Sequence, residues 1–230
     1  MMSLEIQRIR AICFDLDGTL SDTDDLWVQR ITKMLSPVHF LFPHLQIEPF
    51  ARWLVMSIES PGNLMYSLLD RLDLDADVGR FYDAVAKLWN IRLSGQYKIV
   101  PGVKEALLQL YGRYPMSIVS TRDQRSTQAF LDHFELSGLF QSVATSQTCH
   151  HTKPYPDPVL WAAQKMGVLP GECLMVGDSA VDIQAGRAAR AQTVGVLCGF
   201  GTEKELSRAG ANLILPSTEN LPEVLLAKPE

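Results

Sequence analysis

A chain of 230 residues with 47% hydrophobic side chains holds enough apolar material for one full core and a sizeable insertion. Its formal net charge of -5 supplies no basic field for an extended polyanion, which argues against nucleic acid as a partner. A small phosphorylated metabolite stays open, because a bound cation and a few local donors outweigh a modest negative charge.

The segment from Met1 to Arg10 carries Glu5, Arg8 and Arg10 in place of a signal-peptide core. No later stretch reaches membrane-spanning length, so the expected partners include no membrane and the expected location is cytoplasmic. The first apolar run, Ala11-Ile12-Cys13-Phe14, stops at Asp15-Leu16-Asp17-Gly18-Thr19 and predicts a buried strand that delivers polar residues to a loop. Between that strand and Pro101 the strand–helix alternation is missing. Spacings such as Phe81, Val85, Leu88 and Trp89 there predict helix faces. The division expected is a core of residues 1–20 and 98–230 around an inserted helical cap of residues 21–97, with hinges near Ser21 to Asp24 and Ser94 to Ile99.

From Pro101 onward the pattern is regular. Helices are expected near Gly102 to Tyr111, Asp123 to Phe134, Pro158 to Met166 and Val181 to Ala189, with strands at Met116 to Val119, around Val143, at Cys173 to Val176 and at Thr193 to Leu197. A terminal pair, Asn212 to Leu215 and Leu221 to Leu225, completes it. Asp157 before Pro158 reads as a helix N-cap followed by a first-turn proline, while Gly167 and Gly171 read as a helix end and a strand opening. Such alternation predicts a doubly wound, Rossmann-like α/β core with a parallel sheet covered on both faces. Cys13, Cys149, Cys173 and Cys198 form no C-x-x-C pair and are expected as free buried thiols.

Strand ends in such a sheet line one crevice, which brings distant residues together. Asp15 and Asp17 end the first strand, Ser120 follows the second, Lys153 precedes a helix, and Asp178 follows Cys173 to Gly177. Each alone has an ordinary explanation: an Asp-Gly turn, a serine N-cap, a solvated lysine. The joint placement points to a site. The neighbouring His150 and His151 lack further ligands and read as a solvated loop.

Together, D-x-D-G-T at Asp15 to Thr19, Ser120 after an apolar strand, K-P-x-P-D at Lys153 to Asp157 and G-D-S-x-x-D at Gly177 to Asp182 resemble the four motifs of the haloacid dehalogenase superfamily. The room between the first two motifs is similar to that in its phosphoglycolate phosphatase and β-phosphoglucomutase branches, where it houses a helical cap. The resemblance implies a Mg²⁺-dependent phosphatase with Asp15 as nucleophile and Asp17 as general acid and base. It further implies Asp15, the Asp17 carbonyl and Asp178 as metal ligands, Asp182 supporting them, and Ser120, Thr121 and Lys153 holding phosphate.

Many relatives resemble Ser/Thr-Asn where this chain has Thr121-Arg122, so Thr121 stays a candidate and Arg122 is left out. An acid at Asp17 resembles the phosphatases and not the dehalogenases. A sugar-phosphate mutase and a non-catalytic phosphate-binding protein share these core residues. The substrate would be set within the cap, where Arg30, Lys33, Arg52 and Arg71 can meet an anion and Trp27, Phe50, Trp53 and Trp89 read as core. No residue pattern sets an oligomeric state.

Overall fold

The computed structural model describes residues 4–22 and 97–227. The chain divides into one unit of Met1–Thr23 with Lys98–Glu230 and another of Asp24–Tyr97. The expected helical cap, its arginines and its tryptophans lie outside the described residues.

Six strands form one parallel sheet: β1 (Ala11–Phe14), β2 (Met116–Val119), β3 (Ser142–Ala144), β4 (Cys173–Gly177), β5 (Gln192–Val196) and β6 (Leu213–Leu215), in the spatial order β3-β2-β1-β4-β5-β6. The reversal of strand order beside β1 is the topological switch at which α/β sheets open a crevice beyond their carboxyl ends. Central strands β1, β2, β4 and β5 are buried along their whole length, as a sheet covered on both faces requires.

The described helices are α1 (Val103–Leu110), α2 (Gln124–His133), α3 (Asp157–Met166), α4 (Ala180–Ala188), α5 (Glu203–Ala209) and α6 (Leu221–Leu225). Helix α3 lies against β1, β2 and β3, and α4 against β4 and β5. Val159, Ala162, Ala163 and Met166 of α3 and Ala185 of α4 join Ala11, Cys13, Val119, Cys173 and Met175 of the strands in one apolar cluster. Small side chains on both helices let the backbones approach the sheet closely.

Three details differ from the sequence-based expectation. Helix α3 begins one residue early: Pro156 is its N-cap, and Asp157 is the first helical residue, with its carboxylate 3.3 Å from His151 Nδ1. Gly171 lies in a short 3-10 turn, Pro170–Glu172, while Gly167 does end α3 in the left-handed conformation. All four cysteines are free, but only Cys13 and Cys173 are buried; Cys149 and Cys198 are half-buried.

The core segments that flank Asp24–Tyr97 are hydrogen-bonded to each other. Asp22 donates its N–H to the Lys98 carbonyl at 2.9 Å, Val100 donates to the Leu20 carbonyl at 2.9 Å, and Lys98 pairs with the Asp22 carboxylate at 2.6 Å. These bonds fix where the chain leaves and re-enters the sheet, directly after the Asp15–Thr19 loop.

Candidate active site

Asp15 is the first residue beyond β1, and its N–H donates to the Val176 carbonyl of β4 at 2.9 Å, extending the ladder by one bond. The chain then turns within a few residues. The N–H groups of Leu20 and Ser21 both donate to the Leu16 carbonyl, at 2.9 and 2.8 Å, and Gly18 adopts φ +70°. A side chain at position 18 would be strained by that φ and would run into the Asp178 carboxylate, so glycine there serves both the turn and the close approach of Asp178.

The loop carries Asp15 into contact with Lys153, whose Nζ donates to Asp15 Oδ1 at 2.5 Å and to Asp182 Oδ1 at 2.6 Å. All three side chains are buried. Asp182 is fixed at both oxygens, because Oδ2 accepts from the Ser179 N–H at 3.0 Å and from Ser179 Oγ at 2.6 Å in a reciprocal cap on α4. The same carboxylate therefore starts a helix and anchors the lysine. Burial pushes the Asp15 carboxyl up to about 7, with the negative charge of Asp182 adding to the push and Lys153 opposing it. Burial works to discharge Lys153, but the adjacent Asp15 and Asp182 carboxylates more than offset it and hold the ammonium charged well above its ordinary range.

Asp178 follows β4 and is buried, and the Phe200 N–H donates to its Oδ2 at 2.8 Å. One oxygen each from Asp15, Asp178 and Asp182 lies within 4.8 Å of the other two. Hard carboxylate oxygens gathered out of water, with a single lysine among them, fit a divalent cation of the Mg²⁺ kind. Asp15 and Asp178 are the residues suited to hold it directly, since both Asp182 oxygens are already committed to Lys153 and Ser179.

Ser120 is buried one residue beyond β2; its N–H donates to the Ala144 carbonyl and its Oγ accepts from the Arg122 N–H at 3.1 Å. Thr121 is exposed and joins none of these bonds among the described residues. Arg122, which the sequence reading set aside, grips Asp17: its Nε donates to Asp17 Oδ2 at 2.6 Å and its terminal nitrogen donates to Oδ1. A guanidinium spanning both oxygens of one carboxylate is the two-pronged geometry that arginine alone provides. The only sequence signal for it was the departure from asparagine after Ser120-Thr121.

The loop after β5 was missed as well. Gly199 and Gly201 pass so close to Asp178 that a side chain at either would collide with it, and Cys198 Sγ lies 3.3 Å from the Gly18 carbonyl. A Gly-Phe-Gly run at the end of a core strand was the available clue.

A doubly wound parallel sheet whose carboxyl edge gathers Asp15, Asp178 and Asp182 around a buried lysine has the architecture of a hydrolytic α/β enzyme. This chain belongs to the haloacid dehalogenase-like hydrolase family, whose model matches residues 12–196. It is similar to a phosphoglycolate phosphatase of Pseudomonas putida, at 25% identity over 90% of this chain and 76% of the relative. It also resembles the pyrophosphatase PpaX of Oceanobacillus iheyensis, at 31% identity over 82% of this chain and 83% of the relative. Among solved structures, a family hydrolase from Deinococcus radiodurans with bound phosphate and sodium shares 25% identity and a TM-score of 0.67, covering 97% of this chain and 99% of that one.

Proposed function

We propose that this hydrolase is a Mg²⁺-dependent phosphatase of small phosphorylated metabolites that works through an aspartyl-phosphate on Asp15. The observation that carries the reading is the buried Lys153 held between Asp15 and Asp182, with Asp178 beside them. Such a group has no value as a surface ion pair, and desolvated charges of this density are costly unless they serve chemistry. The names of the relatives, a phosphoglycolate phosphatase and a pyrophosphatase, support hydrolysis of a phosphate ester or anhydride.

In this mechanism an Asp15 carboxylate oxygen attacks phosphorus, the bond from phosphorus to the leaving oxygen breaks, and Asp17 gives that oxygen its proton. Water then attacks the phosphorus of the acyl phosphate, Asp17 takes its proton, and inorganic phosphate leaves as Asp15 regains its carboxylate. Ser120 and Lys153 stabilise the charge on the phosphoryl oxygens in flight. Asp15, Asp178 and the Asp17 carbonyl would hold Mg²⁺, which supplies positive charge that relieves repulsion between the nucleophile and the substrate phosphate. Residues 21–97 are proposed as a separate helical domain inserted in the core.

The test is phosphate release from a panel of phosphorylated metabolites, with and without Mg²⁺, by the wild-type chain and Asp15→Asn. Metal-dependent release that disappears in the variant is expected. Full activity in Asp15→Asn removes the nucleophile assignment, and release of no phosphate from any ester removes the phosphatase reading.

A further inference from the structure

We infer that Arg122 is a specificity residue that exchanges the Asp17 carboxylate for an anionic group on the leaving-group side of the substrate, so that the substrates of this site are phosphate esters whose leaving group itself carries a negative charge. The inference rests on the phosphatase reading above.

Its first support is occupancy. In the structure both Asp17 oxygens are taken by one guanidinium. Each Asp17 oxygen keeps one further lone-pair site for the leaving-group oxygen, and an anion that draws a prong of Arg122 away frees Asp17 fully for its proton transfers. The second support is position. Asp17 acts where the bond from phosphorus to the leaving group breaks, and a guanidinium in hydrogen-bond contact with Asp17 is therefore within reach of the leaving group.

The third support is shape. The fork of arginine matches a carboxylate or a phosphate oxygen pair equally well, so an anion on the leaving group replaces the Asp17 carboxylate like for like. The pair is also shielded enough to matter and open enough to exchange: the Arg122 and Asp17 side chains are 15% and 28% exposed. Arg122 itself is pinned at the backbone. Its N–H donates to Ser120 Oγ at 3.1 Å, and its carbonyl accepts from the Ser146 N–H at 3.0 Å and from Ser146 Oγ at 3.2 Å. With the backbone held by these bonds, the exchange asks only the side chain to move.

Charge points the same way. Among the described residues, Asp15, Asp17, Asp178 and Asp182 would be balanced by Lys153, Arg122 and one divalent cation, so removing Arg122 shifts the metal-loaded site by one unit toward negative charge. That shift would count most against a substrate that brings an anion beyond its phosphate.

The experiment compares kcat/KM for 2-phosphoglycolate and ethyl phosphate, two esters of similar size of which only the first carries a carboxylate, in wild type, Arg122→Gln and Arg122→Lys with Mg²⁺. Wild type is expected to favour the carboxylated ester by at least about tenfold, the scale of one charged hydrogen-bonded contact. In Arg122→Gln that ratio is expected to fall close to one, and Arg122→Lys, with charge but no fork, is expected to recover only part of it. A ratio taken within one variant does not depend on how much of the protein is folded, and a purely structural role for Arg122 would not move it. An unchanged ratio in Arg122→Gln, or no preference in wild type, overturns the inference while leaving the phosphatase reading intact. Failure of wild type to hydrolyse either ester, or any other phosphate ester, removes both.

Discussion

Lys153 Nζ lies 2.5 Å from Asp15 Oδ1 across 138 positions of sequence. The same nitrogen holds Asp182 at 2.6 Å, and the lysine side chain is only 4% exposed. Removing it leaves two buried carboxylates facing each other. Lys153→Met is expected to cost on the order of 100- to 1,000-fold in kcat, the scale of one transition-state charge contact. Breaking the buried pair also destabilises the fold by about 3–5 kcal/mol. Lys153→Arg should not restore activity, because a planar fork does not reproduce the contact of one ammonium nitrogen with both carboxylates. Steady-state kinetics and thermal denaturation of the two variants check this.

Asp182 separates structure from chemistry. Its Oδ2 caps α4 through the Ser179 N–H and hydroxyl, while its Oδ1 holds Lys153. Asp182→Ala should lose the cap, worth about 1 kcal/mol, together with the anchor of the lysine. Asp182→Asn keeps an oxygen for one role and should melt above the alanine variant, with kcat still reduced. Equal melting temperatures for the two would show that the cap contributes nothing.

Gly199 is predicted to act through Asp178. A Cβ added there would stand 2.6 Å from the Asp178 Cγ and 2.6 Å from the Gly18 carbonyl oxygen, so the Asp178 side chain must shift to admit it. Gly199→Ala should lower Mg²⁺ affinity by about 10- to 100-fold, as expected for a disturbed support of a metal ligand, with circular dichroism unchanged. Metal titration by calorimetry measures it, and an unaltered affinity would contradict the close packing.

The pH dependence follows from Asp15. In the metal-free protein its carboxyl is raised from 3.8 to about 7, chiefly by burial and then by Asp182. Between those values the folded chain keeps a proton that the unfolded chain has released, so this group's contribution to stability falls as pH rises through the window. A divalent cation favours the carboxylate, so Mg²⁺ binding at about pH 6 should expel protons. Melting curves in chelator should show the falling slope in wild type and a smaller one in Asp15→Asn. Calorimetry in buffers of different ionisation enthalpy reads the proton release; identical slopes in the two proteins would contradict the assignment.

The sheet was legible in the sequence because its strands are short apolar runs that end in polar residues, and the structure differs from the expected ends by only a residue or two. Strand β5 starts at Gln192, a polar residue that reads as loop; in the structure its side-chain amide donates to the Glu5 carbonyl at 2.9 Å and accepts the Glu5 N–H at 2.6 Å. Helix α5 was missed because Leu206 is its only buried residue and no apolar stripe marks it. Its signal lay in the termini, where Thr202 and Glu205 cap each other reciprocally and Gly210 ends the helix in the left-handed conformation.

Asp15, Lys153, Asp178 and Asp182 could be read from motif and strand position, since the sheet dictates where strand ends meet. Arg122 could not. Its partner lies 105 positions away, and an arginine before a helix is an ordinary surface residue until Asp17 is seen within its fork.

The central claim is that phosphorus is transferred to Asp15, and the most direct measurement is to trap it. Turnover with Mg²⁺ and substrate is stopped in acid, the protein is reduced with borohydride, and the tryptic peptide covering residues 11–30 is sequenced by mass spectrometry. Reduction of an acyl phosphate converts aspartate to homoserine. The account predicts homoserine at position 15, dependent on both substrate and metal. Trapping at Asp17 or elsewhere, or full turnover with no modified residue at position 15, would contradict it.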